Sequence, residues 1–187
     1  MIPINSTRLE NYNGHYINLR DYLHSDPFSN STTLSIDSVD ITTLPESIDE
    51  LQEIDSLEIT NTPLVSLPDS IGNLRNLERI RLINTSIRVL PESIGYLPLT
   101  TLTICNAPIA FLPDSIGNIN NLFLSLRNTK ITVLPNAVKN LFVLLCDPPI
   151  TLSPELSHYL ESRNQINRAH VRQLRARASR VLNSSTE

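Results

Sequence analysis

Residues 77–95 read LERIRLINTSIRVLPESIG, and the stretch recurs in altered form up and down the chain. Its final pentapeptide is LPESI from Leu90, and the same place is held by LPESI from Leu44, LPDSI from Leu67, LPDSI from Leu112 and a degenerate LPNAV from Leu134. The prolines Pro45, Pro68, Pro91, Pro113 and Pro135 are spaced by 23, 23, 22 and 22 residues, and Pro154 follows after 19. Self-similarity at this period marks a stacked solenoid, in which each unit buries its apolar face only against its neighbours. Periods near 34 and 33 residues, as in other helical repeat arrays, and the much shorter ones of parallel β-helices do not fit.

Ahead of each pentapeptide lies a second pattern, with apolar residues at positions 1, 4, 6 and 11 of the unit. It holds Ile54, Leu57, Ile59 and Leu64, then Leu77, Ile80, Leu82 and Ile87, then Leu99, Leu102, Ile104 and Ile109. Side chains alternate between the faces of a strand, so positions 4 and 6 point inward and positions 3, 5 and 7 outward. Leu34 and Ile36, Leu57 and Ile59, Ile80 and Leu82, Leu102 and Ile104, Leu124 and Leu126, and Val143 and Leu145 form six inward pairs, predicting six strands. Proline lacks an N–H and suits the exit from the strand, and the Glu or Asp and Ser after it suit the first turn of a short helix. Gly72, Gly95 and Gly117, three places after Asp69, Glu92 and Asp114, are expected where a tight turn closes that helix.

These units resemble the leucine-rich repeat family over roughly residues 31–153. The resemblance implies an α/β solenoid: a curved rod with a parallel concave sheet and short helices or 3-10 turns on the convex side. The family usually carries Asn at position 9, where its side chain satisfies the bend. Here that slot reads Val39, Thr62, Thr85, Ala107, Thr129 and Pro148, while Asn61, Asn84, Asn106 and Asn128 stand one place earlier. Threonine hydroxyls can bond a turn, but Ala and Pro side chains cannot, so the usual asparagine ladder is not expected.

The domain reading is an N-terminal helical cap over 1–30, the array over 31–153, and an Arg-rich C-terminal helix with a polar tail over 154–187. Tyr16, Leu19, Tyr22 and Leu23 recur at helical spacing, which predicts a helix over the first open layer. Residues 155–182 contain neither Gly nor Pro, and Leu156, Tyr159 and Leu160 are expected to pack on the last repeat, covering Phe142 and Leu144. Arg168, Arg172 and Arg175 fall on one side of that helix, where they form either a solvated face of the cap or a second candidate surface, for an acidic partner or phospholipid head groups. Nucleic acid is not expected, since no aromatic residues are interleaved with the bases.

The chain of 187 residues carries a formal net charge of −4, unevenly spread. Residues 1–69 hold 12 acids and 2 bases, whereas residues 70–153 hold 7 bases and 4 acids. Such a field sets docking orientation more than affinity. No apolar run approaches the length of a membrane span, and the first 30 residues contain no hydrophobic signal core. Cys105 and Cys146 both fall at position 7 two repeats apart, about 10 Å at ~4.8 Å per strand, too far for a disulfide. A reduced, cytosolic setting follows.

On the outward positions, a solvated sheet would carry small polar groups throughout. Arg79, Arg81, Ile83, Phe123 and Arg127 depart from that expectation, and arginine and aromatic residues are enriched among those that dominate binding energy. The candidate partner-binding residues are therefore Glu58, Arg79, Arg81, Ile83, Thr101, Thr103, Phe123 and Arg127. Catalysis finds no support. His15, His24, His158 and His170 lie outside the repeats, away from Cys105 and Cys146, and no metal-ligand or phosphate-loop motif is present. No cofactor or metal is expected, and the chain should act as a monomer.

Regular LPxxI repeats without cysteine-rich caps look like those of bacterial leucine-rich repeat effectors delivered into host cells. The polar C-terminal residues NSSTE are similar to export tails of some such proteins. The resemblance implies a host protein as partner, bound in the concavity, and the host cytosol as destination. The rival expectation is an intracellular scaffold similar to short repeat proteins that bind phosphatases or Ras-type GTPases, cytoplasmic and not exported.

Overall fold

The computed structural model describes residues 8–10, 16–18, 23–25, 32–135, 138 and 141–147, the three N-terminal segments and the last as backbone strands. The array is built on β4 (Thr32–Asp37), β5 (Ser56–Thr62), β6 (Arg79–Thr85), β7 (Thr101–Cys105), β8 (Leu122–Arg127) and β9 (Leu141–Asp147), hydrogen-bonded in chain order and all parallel. The six predicted strands are present. The apolar pairs stack in register: Leu57 opposes Leu34 and Ile80, and Ile59 opposes Ile36 and Leu82. Leu102 and Ile104 continue the two columns to Leu124 and Leu126. All ten of these side chains are at most 1% exposed. Each layer is too thin to hold a core alone, so its apolar area leaves water only through contact with the next layer.

From each of β4 to β7 the chain passes through the Leu-Pro step into one 3-10 turn: Glu46–Glu50, Asp69–Asn73, Glu92–Tyr96 and Asp114–Asn118. In each, the Ile (Ile48, Ile71, Ile94, Ile116) is buried and returns the turn to the core. The Glu or Asp and the Ser fall in the first turn as expected; the prolines precede the turns and no side chain caps them. Instead the acid of one repeat reaches the next, with the Ser70 amide donating to Glu46 at 3.0 Å and the Ser115 amide to Glu92 at 3.2 Å. Asp49 likewise accepts from the next repeat, at 3.0 Å from the Asn73 side-chain amide.

The glycine expectation is also corrected. A Cβ on Gly72 would lie 2.6 Å from both the Cβ and carbonyl oxygen of Ser93, and one on Gly95 would collide with the same atoms of Ser115. These glycines let successive 3-10 turns touch backbone to backbone, and their φ angles lie outside the left-handed region. Serine is the partner because its side chain is small, and the Ser70, Ser93 and Ser115 hydroxyls are buried without a hydrogen bond.

Two further expectations change. Within the predicted N-terminal helix, Tyr16 belongs to β2 (Tyr16–Asn18), paired antiparallel with β1 (Arg8–Glu10), and Leu23 belongs to β3 (Leu23–Ser25). β3 runs antiparallel to β4, with Leu23 opposite Leu34, so a strand satisfies the open backbone edge of the first repeat. At the other end, a register shift between Leu122 and Phe123 displaces β9 by one residue. Val143, Leu145 and Asp147 occupy the register of Phe123, Ser125 and Arg127, where Phe142, Leu144 and Cys146 had been expected. Leu144 and Cys146 thus stand in register with buried Leu124 and Leu126, where Val143 and Leu145 were predicted. The C-terminal helix and the covering of Phe142 and Leu144 lie outside the described residues.

Candidate interaction face

The outward positions of β4 to β8 form three rows across the sheet. One runs Thr33, Ser56, Arg79, Thr101, Phe123; the next Ser35, Glu58, Arg81, Thr103, Ser125; the third Asp37, Thr60, Ile83, Cys105, Arg127. All eight candidate residues from Glu58 to Arg127 therefore lie on one face, on four consecutive strands. Arg81 and Arg127 are exposed; Glu58, Arg79, Ile83, Thr101, Thr103 and Phe123 are half-buried. Cys105 is a free, half-buried thiol.

Two ion pairs link β6 to the preceding repeat. Arg79 Nη2 lies 2.9 Å from Asp55 Oδ1, and Arg81 Nη1 lies 3.6 Å from Glu58 Oε1. The two guanidinium side chains keep 42% and 51% of their surface exposed. Pairs this open contribute about 0–1 kcal/mol to folding, so the arginines are not needed to hold the sheet together.

Along the edge of the face runs a feature the sequence reading did not anticipate. Ser38, Asn61, Asn84, Asn106 and Asn128 share one slot and all have positive φ, between 48° and 57°. Asparagine is among the few side chains that tolerate this left-handed backbone. Their amides form a ladder: Asn61 donates to Asp37 at 2.8 Å, Asn84 to Asn61 at 2.7 Å, Asn106 to Asn84 at 2.5 Å and Asn128 to Asn106 at 3.0 Å. The asparagine ladder thus exists, displaced by one residue, while the Thr62 and Thr85 hydroxyls in the usual slot are buried without a partner. The clue in the sequence was the fourfold Asn before position 9.

Asp37 terminates the ladder. The Thr60 hydroxyl, and after it the Asn61 amide, hold its carboxyl below the usual carboxylate range. A depressed folded pKa stabilises the protein above the ordinary carboxylate range, and that contribution fades as pH falls through the lowered value. Urea midpoints measured between pH 6 and pH 3 are expected to fall further for the wild type than for Asp37→Asn. Parallel profiles would show that the ladder does not depend on the charge.

A second stripe escaped the sequence reading on the opposite side of the Leu-Pro step. Thr43, Ser66, Val89, Phe111 and Val133 each precede the leucine of that step, and the last three are 55%, 75% and 55% exposed. Backbone bonds from Val65 to Thr42 and from Arg88 to Val65 and the Thr43–Ser66 bridge make this a minor ladder of its own.

Together, the parallel one-strand-per-repeat sheet, the alternating leucine and isoleucine columns and the 3-10 turns opposite the sheet define a leucine-rich repeat solenoid. No protein-family model matches the chain, and no curated protein does. Among solved structures it is similar to a leucine-rich repeat protein of Leptospira interrogans, with 30% identity, a TM-score of 0.59, and coverage of 66% of this chain and 33% of that one. It is also similar to the leucine-rich repeat domain of the type III effector XopL, with 26% identity, a TM-score of 0.58, and coverage of 68% and 47%. A plant ice-binding protein at 20% identity, with a TM-score of 0.52 and coverage of 71% and 54%, shares the fold alone. The chain spans a third to about half of the lengths of these structures. It is a leucine-rich repeat protein, and its solved neighbours include bacterial ones.

Proposed function

We propose that the array is a protein-binding module of a bacterial effector, which captures a host protein on its concave face inside the host cell. The observation that carries the reading is internal to the molecule. Two of the three outward rows are filled mostly by Ser or Thr, yet they also hold Arg79, Arg81 and Phe123, and the third row holds Ile83 and Arg127. The fold does not require these larger residues, so a binding role accounts for them. Similarity to the repeat domain of a type III effector supports the effector setting. The proposed contact residues are Glu58, Arg79, Arg81, Ile83, Thr101, Thr103, Phe123 and Arg127, acting by recognition and without catalysis. Arg168, Arg172 and Arg175, proposed for acidic membranes, lie outside the described residues.

Affinity capture from host-cell lysate with mass spectrometry supplies the partner, and Arg79→Glu with Arg81→Glu tests the face. Capture is expected to fall at least tenfold while thermal unfolding shifts by only a few degrees. Undiminished capture by that variant, with loss on Phe111→Ser, would move the site to the outer apolar stripe.

A further inference from the structure

Resting on the concave-face reading, we propose that Arg79, Arg81, Thr101 and Thr103 form an anion-accepting quartet that receives carboxylates from an acidic segment of the partner protein. Arg79 stands in register with Thr101, and Arg81 with Thr103, on the adjacent strands β6 and β7. Two guanidinium groups and two hydroxyls, all donors, therefore share one patch about 5 Å by 7 Å between Cα positions. Each guanidinium offers five N–H donors in a planar fork. The contacts to Asp55 and Glu58 come from one nitrogen each, on the β5 side, and leave the donors on the other side for a ligand. At 3.6 Å and half exposed, the Glu58 contact is also weak enough for an incoming carboxylate to compete with it.

The surroundings narrow the ligand. Asp37 and Glu58 lie toward one end of the face, whereas Arg127 lies beyond the quartet on β8. The bases of the described face are thus Arg79 and Arg81 on β6 and Arg127 on β8, and its acids Asp37 and Glu58 lie on β4 and β5. An acidic segment placed over the quartet is attracted; the same segment slipped toward β4 meets Asp37, whose hydrogen bonds keep it ionised. Charge therefore fixes register as well as contact. Ile83 and Phe123 border the patch and supply apolar surface for residues flanking the acids, and the short side chains of β7 leave room for a chain to approach.

The test selects ligands for the full chain from a displayed library of random 12-residue peptides. The selected sequences are expected to be enriched in Asp and Glu, to bind less tightly as salt rises, and to lose roughly 10- to 100-fold in affinity on Arg79→Glu with Arg81→Glu. A fresh selection on that variant should enrich Lys and Arg instead. Peptides without acidic enrichment that are still blocked by Thr103→Tyr would overturn the quartet and leave the concave face standing. Peptides indifferent to both changes would overturn both, and a library that yields no binder removes the proposal of a short acidic segment.

Discussion

Leu82→Ala is expected to destabilise the array by about 2–5 kcal/mol, whereas Arg81→Ala, one residue away, should cost no more than about 1 kcal/mol. Leu82 is fully buried, in register with Ile59 before it and Ile104 after it, so truncation opens a void between three layers. A solenoid has no distant core to share the loss: each layer is held only by its neighbours. Arg81 sits on the opposite face with half its side chain in water. Denaturant midpoints for the two variants measure the contrast directly. Equal losses would mean that strand β6 is turned the other way round, and the recognition face would vanish with it.

Asn84→Val is expected to cost about 2–6 kcal/mol and Asn84→Gly about 1–3, by the same measurement. Valine at φ 54° carries the left-handed penalty of a β-branched residue, about 1–3 kcal/mol. Both variants lose the two amide bonds to Asn61 and Asn106, which lie exposed and are worth about 0.5–1.5 kcal/mol each. Glycine keeps the backbone at no steric cost, so the difference between the variants isolates the conformational term. If Val and Gly prove equal, the ladder bonds, and not the backbone, explain why asparagine occupies the slot. A further consequence concerns binding: the ladder ties each strand to its neighbours, and Ile83 immediately precedes Asn84, so a slackened ladder should weaken capture of the partner as well.

The repeat was legible because its cause is local and repeated. A leucine or isoleucine at positions 4 and 6 must face inward whatever lies beyond, and five Leu-Pro steps at near-constant spacing repeat that statement until the register is overdetermined. The candidate face follows from the same alternation, so the eight named residues gather on one side without further information. Where the pattern was sparse, the reading failed. Tyr16, Leu19, Tyr22 and Leu23 fit a helical period, but Tyr16 and Leu23 lie in strands, and at β3 an unpaired sheet edge outweighed a few apolar spacings. In β9 a single register shift after Leu141 set Val143 to Asp147 one place away from the predicted pairing.

Other features depend on what one repeat meets in the next, roughly 22 residues away. The glycines of the 3-10 turns answer to serines in the following turn, Glu46 and Glu92 cap turns other than their own, and the asparagine amides find one another only once the layers stack. Composition and periodicity are properties of one unit and can be read from a line of letters. Contacts between units depend on the distance and rotation between layers, which the packing of the whole array sets.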